Sequence, residues 1–523
     1  MKSNLVIHNG TVLDGTGGEP LHADLAIKDG LISEIGEIKM RYTDELDASD
    51  MFIAPGFIDI HSHSDYTLLV DPRAVSAIHQ GVTLEVVGNC GFGCFPLKSV
   101  ELAKNAIYGI SDELPINWKS ASEYFERMEN ANPAVNVLSL VPNGQLRLAT
   151  VGLKNRPANS KELGRMKYLL EQALDEGAWG YSTGLEYAAE IGASEDEITA
   201  LCKLTSQYGG LYATHARKRD EGSVVAIEEA IRTAENSSIR LQISHLLPRN
   251  GRDAGDLCVE LVDAANDRGV DIAFDMHTRL YGTTYLYTVL PPWALEGDKK
   301  QIIERLHSNE ARNRMKSHVS ILSAGGDWRR VVLLDNLIWP KYSRRSLYEI
   351  AQERGQDPLD TAYDLLIGAI EDMYELMVII HCYSKDEQKQ TFVHPLCVPG
   401  SDATDLAPDG PLANSTFHGA YTWASWYYRF MVQEMDALSP QEAIYRLTGL
   451  PAKIMNLPER GIIKAGTPAD IVVFDPRTFT ECGTTFEPNQ LATGMQHVFV
   501  NGVSTLYNGV LTGHHGGEVL RRQ

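Results

Sequence analysis

Between residues 57 and 402 the chain alternates eight short apolar runs with segments of helical period, and this alternation restricts the fold more than any other feature. The runs lie at 57–63, 82–88, 135–141, 179–183, 211–216, 240–245, 270–277 and 397–402. Helical stretches at 160–176, 196–208, 224–235 and 258–268 separate several of them. Strands spaced by helices lie parallel, because joining parallel neighbours takes a crossover of a dozen or more residues. Eight such units predict a (β/α)8 TIM barrel of the α/β class. The segment 285–395 is too long for one crossover and holds strand-like residues at 331–334 and 376–381. It reads as an insertion before the last strand, placed where a lid could form.

The chain ends have a different texture. Leu5-Val6-Ile7, Leu25-Ala26-Ile27 and residues 31–35 are short β-like runs separated by Asn9-Gly10, a glycine-rich stretch at 15–18, and Asp29-Gly30. The far end repeats the style with Ala469-Asp470-Ile471-Val472-Val473-Phe474 and with His497-Val498-Phe499-Val500 ahead of Asn501-Gly502. Turn pairs between short strands predict a small β-sandwich domain built from both termini, residues 1–54 and 426–523, with the barrel at 55–425. A length of 523 residues fits two such domains.

The net charge of -22, from 47 basic and 69 acidic residues, argues against nucleic acid as a partner. The N-terminal residues lack the apolar stretch of a signal peptide and no run reaches membrane-spanning length, so cytoplasm is the expected location and no membrane partner is expected. Seven cysteines, odd in number and scattered, do not form a secreted disulfide framework, and reduced thiols are expected. Nothing in the sequence opposes a homo-oligomer.

The first run ends in His61-Ser62-His63. In a strand, side chains two apart share a face, so both imidazoles can point at one ion, and Asp59 shares that face. Alone, such a pair is more often a solvated strand end. Cys90 follows the second run, His215 ends the fifth, His245 the sixth, and Asp402 the eighth. All six side chains thus sit at the C-terminal ends of predicted strands, where barrel enzymes assemble their sites. Thiolate and imidazole suit Zn²⁺, and a carboxylate at the rim can share the metal and take a proton. Hydrolysis follows: such an ion lowers the pKa of bound water to about 7 and polarises a carbonyl, while Asp402 carries a proton to the leaving nitrogen. Six candidate ligands suffice for one metal and leave room for a second. Gly88-Asn89-Cys90-Gly91-Phe92-Gly93 lacks the Lys-Ser/Thr of a phosphate loop and reads as a turn. Tyr281, Tyr285 and Tyr287 share the parity of one strand face, and His514-His515 reads as a solvated tail.

With Pro55-Gly56-Phe57-Ile58-Asp59-Ile60-His61-Ser62-His63 between its β-domain and its barrel, the chain resembles the metal-dependent amidohydrolase superfamily. More narrowly it is similar to the D-aminoacylase (N-acyl-D-amino-acid deacylase) family. The narrower resemblance rests on Gly88-Asn89-Cys90-Gly91, Tyr181-Ser182-Thr183-Gly184-Leu185-Glu186-Tyr187, Ala213-Thr214-His215, Gln242-Ile243-Ser244-His245, Leu290-Pro291-Pro292-Trp293 and Gly400-Ser401-Asp402. It continues through Leu447-Thr448-Gly449-Leu450-Pro451-Ala452 and Ala469 to Pro476, so it spans nearly the whole chain. The resemblance implies that Cys90, His215 and His245 hold a tightly bound zinc. It implies that His61, His63 and Asp402 form a second, weaker or empty position, with Asp402 as general base and acid. The implied reaction is hydrolysis of a linear amide in a small N-acyl substrate, most simply an N-acyl amino acid of D-configuration.

The departures bear on substrate. The family's Ser-His-His-Lys is Ser244-His245-Leu246-Leu247 here, and residues 414–421, where the family places a carboxylate-gripping Arg, contain none. Arg279 stands where the family has a carboxylate-binding tyrosine, and Pro142-Asn143-Gly144 replaces a Gly-His-Gly. Tyr187 and Thr283 join Arg279, Leu247 and Tyr421 as candidate substrate contacts. A buried carboxylate without its arginine costs on the order of 3 kcal/mol or more. Either Arg279 takes over the clamp, or the substrate is a more apolar amide with Leu246, Leu247, Tyr421 and Trp423 as walls. A cyclic-amide hydrolase of hydantoinase type shares the barrel but carries a carboxylated lysine at the end of strand four, where this chain reads Gly180-Tyr181-Ser182-Thr183. A catalytically silent scaffold of the same fold would have no physical need for all six polar residues.

Overall fold

The computed structural model describes residues 4–39, 42–110, 114–249, 251–323, 326–373 and 376–522. Both chain ends build two β-sheets. One has four strands in the order Leu31–Gly36, Asp24–Lys28, Leu5–His8, Asp44–Asp47. The other has seven, with Phe52–Pro55 from the N-terminal part paired antiparallel to Ile471–Phe474 from the C-terminal part, Ile53 opposite Val473. The turns follow from composition. Asp29-Gly30, Asn501-Gly502 and Asn508-Gly509 all have positive φ at both residues, the backbone of a tight two-residue hairpin, and each joins two adjacent strands. Leu5, Ile7, Leu25, Ile27 and Ile32 from the first sheet and Val12, Ile53, Ile471, Val473 and Phe499 from the second share one apolar cluster.

Eight parallel strands follow: β1 (Phe57–Asp59), β2 (Val82–Val87), β3 (Asn136–Ser139, resuming at Val141–Pro142), β4 (Gly180–Gly184), β5 (Leu211–His215), β6 (Arg240–Ile243), β7 (Ile272–His277) and β8 (Cys397–Gly400). Each pairs with the next, within one sheet of β1, β2 and β3 and another running from Val141–Pro142 through β8. A parallel bridge between Ser62 and Ala403 joins the loops beyond β8 and β1. This is an α/β fold, with every one of the eight sequence runs in a strand. Regular pairing of β1 ends at Asp59, short of the run's end at 63. Beyond it the backbone is taken up by Ser62 N–H donating to Val86 at 3.1 Å and His63 N–H donating to Ala403 at 2.8 Å.

The connecting helices show why they form. Ser160–Asp175 starts at Asn159, whose side chain accepts from the Lys161 and Glu162 amides, while Glu162 returns the bond to the Asn159 amide. Met166, Leu170, Ala173 and Leu174 form its buried face, and burial of each leucine contributes about 1.5–3 kcal/mol. Pro440–Leu447 and Gly449–Ile454 pack against β1, and the former also against β8. Leu450, Ala452 and Met455 share a cluster with Ile58, Leu84, Leu138 and Val398 of the parallel strands.

The segment between β7 and β8 opens on Tyr281–Tyr285, which pairs antiparallel with Met377–His381, itself paired with Val331–Leu333. Five helices of seven or more residues accompany this sheet among the described residues, from Lys299–His307 to Lys385–Val393. The rings of Tyr285 and Tyr287 stack at 5.2 Å. The C-terminal stretch differs from a solvated tail: His515 Nδ1 lies 2.7 Å from the Asn132 carbonyl oxygen, and Val519 bridges Val137. No described helix is long and apolar enough to cross a membrane.

Candidate metal centre

Five of the six polar strand-end residues converge beyond β1, β2, β6 and β8. His61 Nε2 lies 3.2 Å from Cys90 Sγ and 3.6 Å from Asp402 Oδ1, and Cys90 Sγ lies 3.7 Å from His245 Nε2. His63 Nε2 lies 3.4 Å from Asp402 Oδ1. Two groups among the described residues bring three donor atoms within 4.8 Å of one another: His61, Cys90 and His245, and His61, His63 and Asp402. His215, at the end of β5, stands beside His245 with ring centroids 4.5 Å apart. Its Nε2 is 2.9 Å from Glu186 Oε2 and its Nδ1 3.3 Å from the Tyr187 hydroxyl.

Local backbone holds these side chains in place. Cys90, His245 and Asp402 all have left-handed φ, at 52°, 35° and 45°. A non-glycine residue in that region costs on the order of 1–3 kcal/mol and persists where its surroundings over-determine it. For Cys90 the surroundings are Gly88 and Gly91, both with positive φ; a Cβ on Gly91 would come 1.7 Å from Glu190 Oε1. For Asp402 they are its own N–H, donating to the His61 carbonyl at 2.9 Å, and Arg279. Arg279 Nη1 donates to Ser401 O at 2.8 Å, and Nη2 to Asp402 O at 3.2 Å and Asp402 Oδ2 at 3.1 Å.

Three imidazoles and the Asp402 carboxylate are in charge states that suit a cation. Burial pushes the His63, His215 and His245 imidazoles below their ordinary range, with Arg219 adding to the shift at His215 and His245, so these rings are neutral. Burial pushes Asp402 up, but His63, His245, His61 and Arg279 outweigh it and hold the carboxyl well below the usual range. Burial raises the Cys90 thiol, so a nearby dication is what would favour its thiolate. Burial lowers His61, but Asp275 and Cys90 outweigh it and hold the ring above its ordinary value. The Nδ1 atoms of His63 and His245 are buried without a partner. Sulfur, neutral imidazole and a partly buried carboxylate in one cluster are the donor set zinc takes.

The sequence reading missed Asp275. Its Oδ1 lies 3.0 Å from His61 Nδ1 and accepts the His245 amide at 2.8 Å, and its Oδ2 accepts from Gln242 Nε2 at 3.1 Å. The signal was present as an acid inside the apolar run Phe274-Asp275-Met276 of a buried strand. Asp275→Asn is expected to weaken zinc binding about 10- to 100-fold, the usual effect of losing a carboxylate behind a ligand histidine. Competition with a chelating dye measures this, and an unchanged affinity would remove Asp275 from the site.

The substrate candidates scatter more widely. The Tyr187 ring packs against His215 at 4.7 Å and Phe92 at 4.8 Å, and Tyr108 stacks between Phe92 at 4.3 Å and His63 at 4.5 Å. The Thr283 hydroxyl is buried without a partner. Leu247 lies in the main core, its carbonyl accepting from Arg219 and Tyr383. Tyr421 packs in a separate cluster with Leu406, Leu412 and Ala420.

Comparison with known proteins adds three findings. Residues 44–318 and 406–506 match the model of the family described as the amidohydrolase family. An N-acyl-D-glutamate deacylase of Alcaligenes xylosoxydans xylosoxydans is 30% identical over 528 residues, 100% of this chain and 97% of that protein; a D-aminoacylase of the same organism is 30% identical over 99% of this chain and 98% of its own. The crystal structure of an N-acyl-D-glutamate deacylase from Bordetella bronchiseptica, complexed with zinc and a phosphonate inhibitor that mimics the tetrahedral intermediate, superposes with a TM-score of 0.78 at 27% identity, covering all of both chains.

Proposed function

This chain belongs to the amidohydrolase family, and on that premise we propose that it is a zinc-dependent hydrolase of linear amides that deacylates N-acyl-D-amino acids. The observation that carries the reading is the cluster of buried Cys90, His61, His63 and His245 with the half-buried Asp402 at neighbouring strand ends. We read the two parallel sheets with their Ser62 to Ala403 bridge as one closed (β/α)8 barrel, and the terminal sheets as a β-sandwich around their shared apolar cluster. We place the start of the sandwich domain's second half nearer residue 463 than 426, a reading supported by the packing of the helices at 440–454 on β1.

Cys90, His215 and His245 would hold the tight zinc, with His61, His63 and Asp402 beside a second position; for this His215 must exchange Glu186 for the ion. When bound, zinc supplies an activated water near neutral pH and polarises the amide carbonyl. Asp402, ionised and facing His61 and His63, would take up a proton at its carboxylate and pass it to the leaving nitrogen. Arg279 holds the Asp402 carboxylate in place and ionised, and Asp275 orients His61. Tyr187 and Tyr108 wall the site, Thr283 has a free hydroxyl for the substrate, and Leu247 and Tyr421 act through packing behind it.

The test is turnover by the zinc-loaded protein of N-acetyl-D-leucine, its L-enantiomer and a cyclic amide such as dihydrouracil. The D-substrate is expected to exceed the other two in kcat/KM by about 100-fold or more, and chelation should abolish the rate. Preference for the cyclic amide, or an undiminished rate after chelation, would overturn the reading.

A further inference from the structure

Arg219 and Arg249 each stand four residues after a strand-end histidine, His215 and His245, and they are used differently. Arg219 Nη2 donates to the carbonyls of His245 at 2.9 Å and Leu247 at 3.2 Å, and to the Tyr383 hydroxyl at 3.2 Å. It shapes the loop after β6. Arg249 is tied to the same loop by its backbone N–H, which donates to Arg219 O at 2.9 Å. Its guanidinium, however, makes no hydrogen bond or ion pair with any described residue, and its Nε is buried without a partner.

The surroundings of Arg249 lead to the metal centre. Glu186 is the carboxylate whose charge acts on it, the neutral side chains of Tyr383, Cys382 and Tyr187 are its other ionisable neighbours, and its own charge acts on His215 and His277. On its other side is Gly282 of the inserted sheet, where a Cβ would stand 3.6 Å from Nε. Glu186 is the one carboxylate among those groups, and it is bonded to His215. Asp402, the next acid of the site, is bonded to Arg279. Arg249 is therefore a partly buried guanidinium that feels the charge of Glu186 but has no hydrogen-bond acceptor among the described residues, and N–H donors left unpaired in such a place are costly unless a group from outside the chain accepts them. A guanidinium offers a carboxylate two parallel N–H donors.

We propose that Arg249 is the substrate's carboxylate clamp: the free carboxylate of an N-acyl amino acid docks on its guanidinium at the mouth of the metal centre, between Tyr187 and the inserted sheet. The inference rests on the amide-hydrolase reading of this site and adds the residue that makes the enzyme require an acid. It assigns to Arg249 the role that Arg279, with both terminal nitrogens spent on Asp402 and Ser401, is poorly placed to fill.

The test separates binding from turnover. The zinc-loaded full chain is titrated by calorimetry with a probe that cannot be hydrolysed, the ketomethylene analogue of N-acetyl-D-leucine, as free acid and as primary carboxamide. Wild type is expected to favour the acid by about tenfold or more. Arg249→Gln should weaken the acid about 10- to 100-fold and leave the carboxamide within about twofold. Arg249→Lys, which keeps the charge, should keep part of the preference and controls for folding. Equal binding of acid and carboxamide by wild type, or equal weakening of both by Arg249→Gln, would overturn the clamp; the latter is what a partner of Glu186 alone would give. Absence of N-acetyl-D-leucine hydrolysis with the acid preference intact would instead overturn the proposed reaction and leave the anion subsite standing.

Discussion

Asp402→Asn is expected to lower kcat by about 10²- to 10⁴-fold while zinc content stays that of the wild type. The geometry makes this a clean substitution. Asparagine has the shape of aspartate and is among the few residues that accept the left-handed backbone found here at φ 45°. Arg279 keeps its bonds to the carbonyls of Ser401 and Asp402, and the residue's own N–H keeps the His61 carbonyl, so the loop stays where it is. What disappears is the proton acceptor. The carboxylate oxygen that faces His61 and His63 becomes an amide group, which cannot take a proton from water or return one to nitrogen. Steady-state kinetics together with elemental analysis of the purified variant decide the point. If activity and zinc fall in step, Asp402 serves as a ligand and the proton is carried by another group; if zinc stays and kcat falls, the carrier is Asp402.

The framework of this site was legible because it depends on local signals. Alternating runs and helix caps such as Asn159 with Glu162 are short-range, and the eight strands lie where the runs were. Asn501-Gly502 and Asp29-Gly30 specify their hairpins through backbone conformation alone. The residues that failed to show depend on which side chain meets which across the mouth. Nothing near His215 in sequence says that Glu186, 29 residues earlier, would hold its Nε2. Asp275 supports two histidines 214 and 30 residues away. Tyr421 looked like a pocket wall from its position after Asp402, yet it turns to Leu406 and Leu412. The family's pattern points to positions 247 and 279 for the substrate's positive partner, because a pattern fixes places in the chain and not contacts in space. The unpaired guanidinium is two residues beyond Leu247, at Arg249, where the loop held by Arg219 delivers it.

Cys90→Ala should weaken zinc binding by at least about 100-fold, more than loss of any single residue behind the ligands. The sulfur touches His61 and His245, and in a site of histidines and one carboxylate it is the only soft donor among the clustered residues. Its backbone is set by Gly88, Gly91 and Glu190 rather than by the side chain, so alanine takes the same turn and leaves only a sulfur-sized gap. Stability in the presence of a chelator should therefore change little. The difference should appear on adding zinc. A ligand at 1,000 times its dissociation constant stabilises the folded state by about 4.1 kcal/mol, and a 100-fold weaker site at the same concentration stabilises by about 1.4 kcal/mol. Thermal unfolding with and without zinc reads this directly and needs no substrate. Run beside His61→Ala and His215→Ala, the same measurement distinguishes the two ways of completing the site. If His215 joins Cys90 and His245 once zinc is present, His215→Ala loses the zinc-dependent shift and His61→Ala keeps most of it. If His61 remains the third donor, where it now lies 3.2 Å from the sulfur, the order reverses and Glu186 keeps His215. Equal zinc-dependent shifts in wild type and Cys90→Ala would remove the cysteine from the metal centre altogether.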